Sequence, residues 1–352
     1  MSRLNIIKRA ILIEVMLIML AVSVNGMVVQ IRETSTDGRE KKEKEEKEEK
    51  EFIKWIDFTP TCEALSEAYR IDVETYGKNN HVDWISLLAL TASKTGGEFN
   101  KKSIRVLKDM ANKIAKGETS VEKEAKDLKY YSFYKEAYDA VLSGMVGEFE
   151  IETADESGKK SWAKKYGLKS FIPIAKGFEY SDYDDFGSSR SFGYRRKHLG
   201  HDMMGQIGTP VIAIESGVVE AIGWNRYGGW RIGIRSFDKK RYYYYAHLRQ
   251  NYPYQSNLKE GSVVTAGDVI GYMGHTGYSD KENVNNIKVT HLHWGLQIIF
   301  DESQKDSDNE IWIDCYQLTK FLYKNRCETY KKEGTKEWDR VFDMKDPKTI
   351  AK

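Results

Sequence analysis

The chain has 352 residues, of which 40% are hydrophobic and 31% charged, and its 55 Lys and Arg against 53 Asp and Glu leave a formal net charge of +2. This length is sufficient for two domains with cores of their own plus extensions. The balanced charge argues against a nucleic-acid-binding protein, which would carry a basic excess or stripe. The three cysteines, Cys62, Cys315 and Cys327, are widely spaced and odd in number. They therefore predict free thiols rather than a disulfide framework or a CxxC zinc site.

The N-terminal segment combines a basic flank with an apolar run. Arg3, Lys8 and Arg9 precede residues 10–29, in which Glu14 is the one charged side chain. Twenty helical residues rise about 30 Å, which is sufficient to cross the hydrocarbon core of a bilayer. We therefore predict that residues 1–30 form a transmembrane signal anchor with a cytoplasmic N-terminus and everything after it outside. The alternative is a cleaved signal peptide and a secreted protein.

A charged tract follows the apolar run. All thirteen residues from 39 to 51 are charged, with both signs mixed. Such a composition buries no apolar surface, so we predict that residues 31–51 form a solvated linker or a single exposed helix. A spacer that holds the rest of the chain off the membrane and a linker without specific role are both consistent with it.

Residues 52–160 show helical periodicity, and we predict a small all-helical domain. Asp83 is a plausible helix cap, and Gly96 suits the end of the same helix. Thr119 and Glu122 have the spacing of a capping box for a further helix that continues to about residue 142. The aromatic residues of this region have core spacing, and the region shows no chemistry of its own.

From residue 161 the pattern changes to short β-rich runs separated by glycines. Alternation and glycine-rich turns predict an antiparallel β domain over residues 161–330. Residues 311–326 are predicted to form a C-terminal helix packed against that domain, and residues 331–352 a loose polar tail. The complete prediction is an α+β multidomain protein.

Six of the seven histidines lie between residues 198 and 293. In a strand, residues two apart point to the same face, so His291 and His293 are expected to project together. Two imidazoles and a carboxylate from neighbouring strands would form a three-ligand site with an open fourth position, which is typical of catalytic zinc. The alternative for each histidine is an ordinary hydrogen bond to a backbone carbonyl.

Four motifs in this region resemble those of the lysostaphin-type, LytM-like zinc metallopeptidases, which are peptidoglycan endopeptidases. The motifs, in chain order, are HLGHD (198–202), YYAHL (244–248), GSVVTAGDVIGYMGHTGYS (261–279) and HLHWG (291–295). The resemblance covers about 130 residues and implies an antiparallel β-sheet fold of the duplicated hybrid motif type. It implies one Zn²⁺ per chain, held by His198, Asp202 and His293, and catalytic roles for His247 and His291.

The sequence departs from the family pattern near the last motif. Residues 280–289 are an insertion before it, Trp294 stands where Phe is usual, and Gly295 stands where Glu is common. None of these changes removes a ligand, although the insertion is expected to reshape one wall of the groove. His201 and His275 fall outside the functional positions of the motifs, with a supporting role behind the ligands left open for His201.

The resemblance implies a zinc metalloendopeptidase that cleaves stem peptides or cross-bridges of peptidoglycan outside the membrane. The alternative is a scaffold that binds the cell wall or docks a protein partner through the helical domain, with low or regulated activity. The run of tyrosines from Tyr242 to Tyr245 alternates faces, so two of the four are expected to line a groove and two to lie in the core.

Overall fold

The computed structural model describes residues 52–350. Helices fill the first third of this part, and short helices recur near its end. They are α1 (Cys62–Thr75), α2 (Trp84–Thr95), α3 (Lys101–Ala115), α4 (Val121–Ala125), α5 (Tyr131–Leu142), a 3-10 helix (Glu302–Gln304), α6 (Tyr316–Leu322) and α7 (Pro347–Ile350).

Local side-chain chemistry sets the ends of these helices. The Asp83 carboxylate accepts a hydrogen bond of 2.7 Å from the backbone N–H of Ser86, which caps α2 as predicted, and α2 ends at Gly96. The predicted capping box at Thr119 is wrong by one residue, because the neighbouring Ser120 accepts from the N–H of Lys123 instead. The single helix expected after it is two helices, α4 and α5, separated by residues 126–130.

Strands make up most of the remaining chain. They are β1 (Val146–Ala154), β2 (Lys160–Leu168), β3 (Ser181–Asp182), β4 (Ser189–Phe192), β5 (Tyr194–Lys197), β6 (His201–Met204), β7 (Pro210–Ile212), β8 (Gly217–Asn225), β9 (Gly229–Ser236), β10 (Arg241–Ala246), β11 (Val263–Val264), β12 (Val269–Tyr272), β13 (His291–Ile298), β14 (Ile311–Ile313), β15 (Thr329–Lys331), β16 (Trp338–Arg340) and β17 (Met344–Lys345).

An eight-stranded antiparallel sheet forms the centre of the fold. Its strand order is β11-β8-β9-β10-β13-β6-β3, and β14 also pairs with β13. Strands β9, β10 and β13 place one set of alternate side chains in the core, which includes the fully buried Ile232, Tyr243 and Leu292. The prediction of an antiparallel β domain is confirmed, and the opposite face of the same strands is free to carry the site.

The prediction that residues 52–160 are entirely helical is wrong for Val146–Ala154. This segment is strand β1, which pairs along its whole length with β2, so the expected boundary at residues 160 and 161 lies within a hairpin. Its sequence VGEFEIETA alternates glutamates with Phe149 and Ile151, which is the period of a strand rather than a helix.

Helices and sheets share one hydrophobic core and form one compact unit, Ile53–Lys352. The ring of Phe321 on α6 packs 5.7 Å from Tyr69 of α1 and 5.8 Å from Trp84 of α2. Arg241, at the start of β10, donates a 2.8 Å hydrogen bond to the backbone carbonyl of Ala140 in α5. The helices therefore pack directly on the elements that carry the large sheet.

The C-terminal region differs from its prediction in two places. The helix expected over residues 311–326 is α6 alone, because Ile311–Ile313 is strand β14 and adds to the edge of β13. The tail expected to be loose contains the last residue of β15 and the whole of β16 and β17, and β17 pairs with β1. Met344 is buried there, so a few apolar side chains order a segment that is polar on average.

Within residues 52–350, no helix is long and apolar enough to cross a membrane. The predicted anchor (1–30) and charged linker (31–51) lie outside the described residues.

Candidate active site

Backbone pairing between β6 and β13 brings the residues of two sequence motifs together. Asp202 of β6 lies directly opposite His293 of β13, and Ala246 of β10 lies opposite His293 on its other side. His198 reaches the same place from the turn just before β6. Residues directly opposite each other in a sheet project to the same face, so the register itself gathers the group.

Three potential ligand atoms meet at one point. His198 Nε2 lies 2.9 Å from Asp202 Oδ1 and 2.9 Å from His293 Nδ1. His293 Nδ1 also lies 2.9 Å from Asp202 Oδ1. Within the described residues these three side chains form a group able to hold a metal ion.

Electrostatics favours the protonation states that a metal site needs. Burial alone would raise the pKa of Asp202, but hydrogen bonds from His198 and His293 lower it far below its usual range, so the carboxylate is charged. Burial lowers the pKa of His293 despite the opposing effect of Asp202, which favours its neutral ring. A neutral imidazole and an ionised carboxylate are the forms that bind divalent metals.

A second layer of contacts orients this group. The Nδ1–H of His198 donates to the backbone carbonyl of Asp185 at 3.3 Å, which directs Nε2 towards the other two side chains. Arg190 donates to Asp202 Oδ2 at 3.1 Å and also contacts the Asp185 carboxylate. The outer oxygen of Asp202 is thereby held, and Oδ1 is left facing the histidines. Sequence reasoning did not find Arg190 or Asp185, since neither belongs to a motif.

His247 lies beside this group at the end of β10. Its backbone is left-handed, with φ 61°, and its Nδ1 hydrogen-bonds the carbonyl of Thr276 at 2.9 Å. Burial, together with the nearby His291 and His293, lowers the pKa of His247 well below its usual value. The ring is therefore neutral, with its proton on Nδ1 and its Nε2 lone pair unused by that bond.

His291 has a similar arrangement. Its Nδ1 hydrogen-bonds the backbone carbonyl of Val289 at 2.8 Å, and its Nε2 lies 3.7 Å from Asp202 Oδ1. The rings of His247 and His291 are 4.7 Å apart. Two imidazoles, each with one nitrogen hydrogen-bonded to the backbone, thus lie beside His198, Asp202 and His293, the candidate metal-ligand group.

A groove of about 590 Å³ runs over these residues. Tyr242 and Tyr244 line it, whereas Tyr243 and Tyr245 are fully buried on the other face of β10. The predicted division of the tyrosine run is therefore confirmed. The buried pair uses its hydroxyls on Glu215 and on the backbone N–H of Ile214.

One wall of the groove is an aromatic and cationic contact between two segments. Phe192, the last residue of β4, stacks on Tyr278 with 4.9 Å between the ring centres, and the Arg196 guanidinium lies 4.7 Å from the ring centre of Tyr227. The insertion 280–289 supports this wall from outside, where Asn286 donates to the carbonyl of Tyr278. The insertion thus lies against one wall of the groove, where it was expected to alter the groove's shape.

The other three histidines lie away from the group. His201 points to the opposite face of β6 from Asp202 and hydrogen-bonds Asp182 at 2.9 Å, so it does not contact the ligand atoms. His275 hydrogen-bonds the carbonyl of Ile287, and His81 pairs with Asp72 in the helical part.

Residues 196–308 match the model of peptidase family M23. The L-Ala–D-Glu endopeptidase of Bacillus subtilis (strain 168) is 40% identical over 125 residues, which are 36% of this chain and 37% of that protein. The glycyl-glycine endopeptidase ALE-1 of Staphylococcus capitis is 32% identical over 143 residues, which are 40% of this chain and 34% of that protein.

Among solved structures, the catalytic domain of lysostaphin from Staphylococcus simulans is 32% identical, with 40% of this chain and 92% of that chain covered and a TM-score of 0.31. The chain spans about a third of the length of the two curated relatives given above. The matched segment contains His198, Asp202, His247, His291 and His293. With its sequence matched in this way, the segment 196–308 belongs to peptidase family M23.

Proposed function

We propose that this protein is a zinc-dependent endopeptidase that cleaves peptide bonds in peptidoglycan. The observation that carries the proposal is the convergence of His198 Nε2, His293 Nδ1 and Asp202 Oδ1, with mutual distances of 2.9 Å. Two further imidazoles lie beside that point with their Nδ1 atoms engaged by backbone carbonyls.

The donor set fits zinc. Two imidazole nitrogens and one carboxylate oxygen are the protein ligands of many catalytic zinc sites, with a fourth position left for water or substrate. We assign His198, Asp202 and His293 as the ligands of one Zn²⁺ per chain. When bound, zinc supplies Lewis acidity, which polarises a carbonyl group and lowers the pKa of water to about 7.

In this proposal one of His247 and His291 transfers the proton of the attacking water. His247 and His291 each donate a hydrogen bond from Nδ1 to a backbone carbonyl, and neither of these bonds uses Nε2. One such nitrogen takes the proton of the attacking water and the imidazolium then gives it to the leaving amine. The second imidazole stabilises negative charge that develops on the carbonyl oxygen.

The substrate is inferred from the relatives. One is named for cleavage between L-Ala and D-Glu and another for cleavage between glycines. We infer that this chain cleaves a peptide of the peptidoglycan stem or cross-bridge. The groove is open and lined by both tyrosines and charged side chains, which suits an extended peptide.

We also propose that the enzyme acts outside the cell membrane. The apolar run of residues 10–29 and the basic residues before it support a signal anchor, with a cleaved signal peptide as the alternative. Protease treatment of spheroplasts that carry a C-terminally tagged protein would test the orientation. Protection of the tag would contradict it.

The central test combines metal content and hydrolysis. The full-length protein is incubated with purified muropeptides with and without chelator, and its zinc is measured after loading and desalting. We expect one zinc per chain, metal-dependent release of new peptide termini, and loss of both in the variant His293→Ala.

The matched control is His247→Ala, which removes an imidazole next to the ligand group. We expect this variant to keep its zinc while hydrolysis falls about 10²–10⁴-fold, the usual contribution of a general acid–base residue. Wild type that binds zinc but cleaves no muropeptide would favour the alternative of a wall-binding or partner-docking scaffold.

A further inference from the structure

Strand β9 presents an arginine to the groove at some distance from the histidines. Ile232 and Ile234 of β9 are fully buried, so the alternating residues Arg231 and Gly233 face the opposite side, which is the side of the groove. Strand β10 separates β9 from β13, which carries His293. At a strand spacing of about 4.8 Å, Arg231 stands roughly 10 Å from the metal-ligand group across the sheet.

One small residue lies between these two positions. Ala246 of β10 lies opposite His293 and borders the groove. Its methyl group is fully buried, and the Tyr244 hydroxyl, which accepts a hydrogen bond of 3.1 Å from Asn225, lies beside it. A peptide that touches both the metal-ligand group and Arg231 would therefore cross the sheet over Ala246 and Tyr244.

Arg231 has no counter-ion in the structure. Its Nη1 is buried and has no hydrogen-bond partner among residues 52–350, and no ion pair to it is found in that part of the chain. Arg235, four residues further along β9, differs in this respect, with Glu220 at 3.4 Å and Glu302 at 2.6 Å. Arg231 is half-buried, and a buried polar atom without a partner is costly, so an anion that reached Nη1 would remove that cost.

Other donors lie on the same side of the groove. The Tyr242 hydroxyl lies directly over Gly233, where an added side chain would collide with it. Burial raises the pKa of Tyr242 to about 12, and the charge of Arg231 acts in the opposite direction, which places the guanidinium near the phenol. Gln297, opposite Tyr242 on β13, is 2% exposed, and its Nε2 also has no partner within the described chain.

We propose that Arg231 is the centre of a subsite that binds a carboxylate of the peptide substrate. The acidic residue would lie within about three residues of the cleaved bond, since an extended chain advances about 3.3–3.6 Å per residue. A planar guanidinium binds a carboxylate through two parallel hydrogen bonds. The inference rests on the proposed function and narrows its substrates to peptides with an acidic residue near the cleaved bond.

Two groove-lining carboxylates do not fill this role. Glu310 accepts a hydrogen bond of 2.7 Å from the indole of Trp312, and Asp306 forms no ion pair with Arg231. Lys305 also lines the groove, but it contacts Glu220. Arg190 pairs with Asp202, and Arg196 donates to the backbone carbonyl of Phe192. Among the arginines that line the groove, Arg231 is therefore the one whose side chain meets no hydrogen-bond acceptor among the described residues.

The test uses two synthetic peptides that contain an L-Ala–D-Glu bond and differ in one group. One keeps the free carboxylate of D-Glu, and in the other a carboxamide replaces it. Each peptide is titrated into the full-length protein from which metal has been removed, so that binding is measured without hydrolysis. We expect wild type to bind the carboxylate peptide about 10- to 100-fold more tightly, the range for a hydrogen-bonded charge pair.

Arg231→Met should lose this preference and bind both peptides equally, whereas Arg231→Lys should retain part of it. The matched control is Arg226→Met, which removes a cation from the exposed rim, where Arg226 pairs with Asp280. It should leave the preference unchanged. Equal binding of the two peptides by wild type, or a preference that survives in Arg231→Met, would overturn the subsite.

Hydrolysis of the same peptides by the zinc-loaded protein is measured separately. A preference that depends on Arg231 without any cleavage would support the subsite and count against the proposed function. Cleavage of both peptides at equal rates, with no difference in Arg231→Met, would support the function and refute the subsite.

Discussion

Arg241 connects the helical part to the strand that leads to His247, and its replacement provides a quantitative test of the packing. The side chain is fully buried. Its Nε and Nη2 donate to the Glu215 carboxylate at 2.7 and 3.1 Å, and Nη2 also donates to Asp238 at 2.7 Å. Its Nη1 donates to the carbonyl of Ala140 at the end of α5.

The substitution Arg241→Met keeps much of the side-chain volume and removes every one of these donors. Glu215 is 4% exposed and would keep only Tyr243 as a hydrogen-bond donor, at 2.7 Å. Removal of one partner from a buried ion pair costs about 3–5 kcal/mol. A unit of this length has an unfolding entropy of about 0.6 kcal/mol per kelvin. Division of the free-energy loss by this entropy gives a fall in melting temperature of about 5–8 °C.

Urea unfolding followed by tryptophan fluorescence measures the free energy directly. The matched control is Lys240→Met, since Lys240 is exposed and pairs with Asp139 at 3.2 Å, and its loss should cost less than about 1 kcal/mol. The double variant Arg241→Met/Glu215→Leu should recover much of the lost stability, because no charge is then left buried. A loss below about 1 kcal/mol in Arg241→Met would refute the reasoning.

Three further predictions concern other parts of the fold. Burial raises the pKa of Cys327 to about 12. Iodoacetamide at pH 8 should therefore leave this thiol unmodified until the protein is unfolded, as measured by peptide mass spectrometry. Rapid labelling of the native protein would contradict this prediction. Gly229 has φ 65°, and an added Cβ would collide with the backbone of Thr276. Gly229→Ala should therefore lower the unfolding free energy by about 2–4 kcal/mol. An unchanged urea midpoint would show that the contact is absent. Burial raises the pKa of Asp238, but the charge of Arg241 outweighs it and lowers that pKa to about 2. The stabilisation from this carboxylate is present above about pH 4 and is lost as the pH falls towards 2, so the stability difference between wild type and Asp238→Asn should shrink over that range, and a constant difference would oppose this assignment.

The candidate site was largely predictable because its residues follow local rules. The spacing of two between His291 and His293 puts both side chains on one face of any strand, whatever its neighbours. The pairing of Asp202 with His293 was not predictable in this way, since it depends on the register between β6 and β13, which lie about 90 residues apart in the chain. There the family resemblance supplied what the local pattern lacks.

Arg231 shows where sequence reasoning ends. It shares the strand segment WRIGIRS with Arg235, and alternation places both arginines on the same face of the strand. The difference is that Arg235 meets Glu220 and Glu302, one from a neighbouring strand and one from a distant turn, whereas Arg231 meets no carboxylate among the described residues. Only tertiary packing separates a structural arginine from one that faces the groove.

Strand β1 is a different kind of error, because its signal was present in the sequence. Glu148, Glu150 and Glu152 alternate with apolar side chains, but the segment follows directly on α5 and is too short for the period to stand out. The strand is stabilised on one edge by β2 and on the other by β17 from the end of the chain. Pairing with β2 over its whole length, and with β17 at Glu150 and Ile151, therefore makes this segment a strand.

The two proposed roles of the histidines depend on separate supports, so each should respond to mutation independently. The ligand atoms are held by the register of β6 with β13 and by the contact of Arg190 with Asp202. The Nδ1 proton of His247 is fixed instead by the carbonyl of Thr276, in a loop that also contacts Gly229. Displacement of that loop would change the tautomer or orientation of His247 without moving a ligand atom. Gly229→Ala should accordingly reduce muropeptide hydrolysis while the folded protein still binds one zinc, and parallel loss of zinc in the folded variant would show that the two supports are coupled.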